Sequence, residues 1–195
     1  ARVENDKRIL SEMAESRRYG EVKIFRYVSR FDEQQQKQFC AMSFLLETGD
    51  ICIAFRGTDS TLVGWKEDFN MAFRCPIPAQ ESAAEYLISV TQRYSKYIAK
   101  KASLLQKISS FFAKSTNSKR DNCDNNNKRD NNNKRNNSPN IIVTGHSKGG
   151  NMASYATMRL DAENEKLGNL VSKIYSMDGP GFANDVVDTS VFSCV

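Results

Sequence analysis

Polar and apolar positions alternate in blocks along the chain, and the period changes from block to block. Residues 3–18 carry Ile9, Leu10, Met13 and Ala14 among charged residues, followed by Gly20. That spacing predicts a short amphipathic helix with a glycine stop. Three runs then read as strands: VKIFRYVSR (22–30), FCAMSFLLE (39–47) and ICIAFR (51–56). The last two are joined by Thr48-Gly49-Asp50, a link short enough to make them an antiparallel hairpin. RGTDSTLVGWKEDFNMAF is turn-rich and then helical, and Pro76 and Pro78 mark a loop. From Gln80, apolar side chains at 83, 87, 90, 94 and 97 predict a helix that runs towards Phe112, with a break near Lys100-Lys101.

Residues 117–137 interrupt this pattern. Ten of the 21 are Asn, and K-R-D-N-N-N recurs crudely. No apolar residue there could offset the entropy of ordering, so 114–139 is expected to be a disordered insertion in a surface loop. Order resumes with IIVTGHSKGGN at 141–151, then a helical pattern carrying Ala153, Ala156, Thr157 and Leu160 on one face, then SKIYSM at 172–177. Strand, helix and strand at this spacing form a βαβ unit with parallel pairing. The expected fold is therefore α/β, a mixed sheet with an antiparallel N-terminal hairpin, parallel strands and helices on both faces. The first residue is Ala and the last stretch is TSVFSCV, so the domain, 1–195, is expected to be incomplete at both ends.

Charge and cysteine content narrow the function classes. The formal charge of +5 comes largely from 117–137, where six Lys/Arg and three Asp supply +3. The rest is near neutral, which argues against a nucleic-acid-binding domain. The tether itself could bind nucleic acid, a reading that a salt-sensitive gel shift would test. Five irregularly spaced cysteines make no metal-type pair and fit a reducing, cytoplasmic setting. No apolar run is long enough to span a bilayer. No metal and no cofactor are expected.

Gly145-His146-Ser147-Lys148-Gly149 fits G-x-S-x-G, the nucleophile elbow. Roughly 0.07 matches are expected by chance in a chain of this length, so the match gains its weight from context. A buried strand, Ile141-Ile142-Val143, precedes it, and Gly150 and Ala153 let a helix pack close behind it. Ser147 is the expected nucleophile and the Lys148 N–H the first oxyanion donor. A serine nucleophile needs a base. The chain's one histidine is His146, and adjacent side chains on a sharp turn diverge, so His146 is read as structural. In hydrolases built around such an elbow the triad order is Ser, then acid, then His. The base is therefore expected beyond residue 195. Lys148 is a cation at a helix N-terminus, where the dipole disfavours it. An ion pair with Asp178 or Asp68 would compensate.

FRGTDSTLVGWKEDF, PIPAQESAAEYL, VTGHSKGGNMASYA and IYSMDGPGF, in this order, resemble the lipase class 3-like α/β-hydrolases. More narrowly they resemble a bacterial branch carrying GHSKGGN and DGPGF. The similarity runs from about residue 7 to residue 182 and is interrupted by the Asn-rich segment; 183–195 match nothing expected. The resemblance implies an α/β-hydrolase fold, Ser147 as nucleophile, and a second oxyanion donor at Thr58. It maps a WxxD pair onto Trp65 and Asp68, read as loop supports: the ring packs and the carboxylate ties down a partner. Asp178 is a candidate acid, with a structural role in the DGPGF turn as its rival. The implied activity is cleavage of a small or lipid-like carboxylic ester. The alternative is a non-catalytic hydrolase-fold binding module or inactive fragment.

Overall fold

The computed structural model describes residues 2–115 and 140–183. Five strands form one sheet in the order β1-β2-β3-β4-β5. They are β1 (Lys23–Asp32), β2 (Lys37–Leu45), β3 (Ile51–Phe55), β4 (Ile141–His146) and β5 (Val171–Met177). β1, β2 and β3 pair antiparallel, and β3, β4 and β5 pair parallel. The helices are α1 (Arg2–Glu15), α2 (Leu62–Asn70), α3 (Pro78–Ser115), α4 (Lys148–Glu163) and the single turn α5 (Glu165–Gly168). The sheet is antiparallel at its N-terminal end and parallel beyond, with helices around it, the α/β arrangement that the patterning predicts.

Register builds the core. Ala41 lies opposite Phe55 and Ser43 opposite Ile53, while Ile53 is level with Val143 and Ile51 with Ile141. Because side chains alternate with period two, these residues share one face, and all are buried. Phe39, Phe55 and Tyr86 meet there with ring centroids 6.1 to 6.3 Å apart. Tyr86 belongs to the first turns of α3, where Ala79, Ala83, Leu87 and Val90 are also buried. The opposite sheet face, with Met42, Cys52 and Ile142, is only half-buried.

The chain divides into two units, Ala1–Thr91 with Pro139–Val195, and Gln92–Ser138. Helix α3 is continuous for 38 residues. No break occurs at Lys100-Lys101; a Lys-Lys pair is a good helix former and does not interrupt the backbone ladder. The helix begins at Pro78, two residues before the expected start, since proline suits the first helical position. It also enters the expected insertion by two residues; the rest of 114–139 lies outside the described residues, as do 184–195. Helix α1 forms as expected, but Val3, Ile9 and Leu10 are exposed. Among the described residues no helix is long and apolar enough to cross a membrane.

Candidate active site

The elbow is built by close backbone approach. β4 ends at His146, Ser147 takes φ 56° and ψ −129°, and α4 begins at Lys148. A non-glycine residue at positive φ stores strain and persists only where its surroundings hold it. A Cβ at Gly145 would run into the Gly149 carbonyl, and one at Gly149 into the Phe55 carbonyl. Both glycines are therefore dictated by space. The Ser147 N–H donates to the Met177 carbonyl at 2.8 Å, pinning the turn to β5. Serine at a helix start usually caps it through its hydroxyl. Ser147 is the N-cap of α4, yet its side chain makes no capping bond.

The loop after β3 abuts this turn. A Cβ added at Gly57 would lie 2.7 Å from the His146 carbonyl oxygen and 3.6 Å from Ser147 Cβ. Thr58 follows, and its Oγ1 is buried with no partner among the described residues. Asp59 shapes the loop. Its Oδ1 accepts from the Thr61 N–H at 2.9 Å and from the Thr61 hydroxyl, and Arg56 pairs with Oδ2 at 3.3 Å. Burial alone would raise the Asp59 carboxyl. The Thr61 donors and the charge of Arg56 outweigh it and hold the group below the ordinary carboxylate range. Thr61 in turn caps α2 through the Gly64 N–H.

The side chain of Lys148 departs from expectation. It pairs with neither Asp178 nor Asp68. It is fully buried, and its Nζ lies 2.8 Å from Glu67 Oε2. It also donates to Gln38 Oε1 at 2.8 Å and to the Gln38 carbonyl at 3.0 Å. Three ammonium hydrogens meet three acceptors. The long stem lets the charge escape the unfavourable end of the helix dipole and reach a carboxylate in the core. Asp68, one residue on from Glu67, is half-exposed, and among the described residues its carboxylate has no hydrogen-bonded or charged partner. Trp65 does not pack: it is 62% exposed, because Gly64 and Glu67 form the buried side of α2.

His146 and Asp178 face each other, Nε2 to Oδ2 at 3.6 Å, and both are exposed. Asp178 sits at φ 49° directly after β5. Asn151, one turn along α4 from Ser147, is buried and doubly engaged. Gln80 Nε2 donates to its Oδ1 at 2.7 Å, and its Nδ2 donates to the Pro180 carbonyl at 2.9 Å. Gln80 Oε1 accepts from the Ile77 N–H at 2.7 Å. This relay ties the DGPGF turn to α4 and to the start of α3. Gln80 and Asn151 also line an open pocket of about 430 Å³ between 71–75 and 181–183. Among the described residues no cluster of three or more His, Cys, Asp or Glu could hold a metal. Asp59, Glu67 and Gln80 lie inside the stretches FRGTDSTLVGWKEDF and PIPAQESAAEYL, and Gln38 just before the run FCAMSFLLE, but no spacing there marks them as partners of one another or of Lys148.

The Mbeg1-like family model matches residues 13–104 and 112–195. The chain belongs to the Mbeg1-like family. The break in this match is at 105–111, not at the Asn-rich segment, and the match continues to the last residue. Residues 183–195 of this Mbeg1-like chain are thus within the family's pattern, contrary to expectation. No curated protein matches it. Among solved structures it is similar to a fungal lipase in complex with an inhibitor, described as a model for interfacial activation in lipases. That similarity has 18% identity and a TM-score of 0.43 over 74% of this chain. The chain spans 43% of the length of that lipase.

Proposed function

We propose that this chain carries the nucleophile of a serine hydrolase that cleaves carboxylic esters, including lipid-like ones. The observation that carries this reading is Ser147 itself, held at strained dihedrals at a helix start with its hydroxyl withheld from capping. Its Oγ attacks the acyl carbon, its proton passes to a base, and the alcohol leaves with a proton; water then releases the acid. The N–H groups of Lys148 and Thr58 hold the oxyanion. The buried, unpartnered Thr58 hydroxyl beside the elbow supports a donor at that position. The base and its acid are proposed to follow residue 195, in the chain order of this fold.

The test is phosphonylation by a fluorophosphonate and turnover of p-nitrophenyl esters by the full-length protein, with Ser147→Ala beside it. Loss of both signals in the variant is expected; retention of either at the wild-type rate overturns the assignment. A non-catalytic binding module is the second reading. It is favoured by one observation, that His146, the only histidine in the sequence, lies exposed with its Nε2 3.6 Å from Asp178 and makes no hydrogen bond to Ser147 among the described residues. Absence of phosphonylation in a folded full-length protein would support it.

A further inference from the structure

Glu67 is as completely used as Lys148. Its Oε2 accepts the Gln38 N–H at 2.8 Å in addition to the ammonium, and its Oε1 accepts the Ala79 N–H at 2.9 Å. Both side chains are 0% exposed. One buried ion pair therefore joins the first residue of α4, the start of β2, the middle of α2 and the first turn of α3. A buried pair is weak evidence for stability, since well-packed apolar residues do as well. What it supplies here is geometry. Lys148 belongs to the elbow through its backbone, and Glu67 belongs to the helix that continues directly from the Thr58 loop. The outer side of that helix is apolar and uncovered: Leu62, Trp65 and Phe69 are 70%, 62% and 72% exposed. Its inner side offers Gly64, with no side chain to pack, and Glu67. The charge beneath α2 is thus its main side-chain anchor.

We infer that the Lys148–Glu67 pair is a clamp that fixes α2 against the elbow and presets the two oxyanion donors before substrate arrives. Lys148, through its side chain, and Glu67 are positioning residues. The inference rests on Ser147 being the nucleophile. It also means that α2 is a fixed wall of the site, not an element that swings away when substrate aggregates offer an apolar surface.

Two measurements on the full-length protein test this. The first removes the charges together, in Lys148→Met/Glu67→Leu, so that no buried ion is stranded. The variant should melt within about 5 °C of wild type. Its kcat should fall about 100-fold, the effect of roughly 1 Å of misplacement, while KM changes less than about twofold, as a loss confined to the transition state requires. A folded double variant with wild-type kcat overturns the clamp. The second measurement needs no substitution. The wild-type rate is followed as tributyrin is raised through its solubility limit. A smooth saturating curve is expected; an abrupt rise at the limit shows that α2 moves and overturns the inference even if the double variant fails to fold. Ser147→Ala separates the two levels. If it keeps wild-type turnover, the nucleophile reading fails and the clamp falls with it. If it is inactive while the double variant is fully active, only the clamp fails.

Discussion

At the level of single residues, the elbow leaves almost no freedom. Gly149→Ala would drive a methyl into the Phe55 carbonyl on the strand that pairs with β4. Backbone cannot yield there without parting β3 from β4. The expected cost is about 3 kcal/mol or more, read as a lower denaturation midpoint or as insoluble protein. Asp59 offers a milder test. Asp59→Ala strips the Thr61 N–H and hydroxyl of their acceptor, costing about 1 kcal/mol by chemical denaturation at neutral pH. The sign of its pH dependence follows from the lowered pKa. The contribution is complete above the ordinary carboxylate range and is lost as pH falls through the folded-state value. Wild type and variant should therefore converge in strong acid. The sharp strand-to-helix turn at 145–150 was legible because the G-x-S-x-G spacing and the apolar strand before it lie within a few residues of each other; the role of Ser147 on that turn is the proposal. The partner of Lys148 was not. A five-atom side chain reaches anything within several ångströms, and only folding brings residues 38 and 67 within that reach.

At the level of elements, strands and helices were read well where their period is clean and poorly where a polar residue anchors them. Helix α2 shows why. Leu62, Trp65 and Phe69 fall on one stripe, which normally marks the buried face. Here that stripe is exposed, and a glycine and a glutamate face inward. A buried ion pair reverses the usual correspondence between apolar and inside. The joint between α3 and α4 is polar too. The Tyr155 hydroxyl lies 3.0 Å from Glu81 Oε1 and accepts from Arg159 at 3.1 Å. Burial, with Glu81 adding to it, pushes the phenol up from 10.0 to about 12, against the opposing effect of Arg159. A raised folded-state pKa gives stability that is complete below the unfolded value and is lost as pH rises through the folded one. Stability should therefore decline between pH 10.0 and about 12, and Tyr155→Phe should flatten that part of the curve in thermal melts. The Gln80–Asn151 relay gives a second test of joints. Asn151→Ala leaves Gln80 Nε2 and the Pro180 carbonyl unpaired. A loss of about 1 to 3 kcal/mol is expected, since the Gln80 amide is stranded in a buried position while the carbonyl of the exposed Pro180 can take water.

At the level of the whole molecule, five strands in sequential order carry one serine on a strained turn, with the chain's one histidine directed to Asp178. On the proposed mechanism a catalytic base is required for rate. Loss of a triad member leaves only a residual rate, about 10³ to 10⁴ over water. The 195-residue chain should thus phosphonylate slowly, and the polypeptide carrying the residues proposed to follow should react faster by orders of magnitude. His146→Gln in that longer form should have little effect on the rate. Equal reactivity of the two forms, measured side by side, would locate the base within this chain instead. The sequence by itself determined the periods of its elements, the hairpin, the βαβ unit and the elbow, because those depend on neighbours a few positions apart. Tertiary structure decided what depends on distant pairs. It set the burial of Lys148 on Glu67, the exposure of Trp65, the pairing of His146 with Asp178 and the relay through Asn151. The burial of Lys148 and the relay through Asn151 rest on a balance of desolvation against partners that no local pattern names; the exposure of Trp65 and the exposed His146–Asp178 contact follow from how the elements pack.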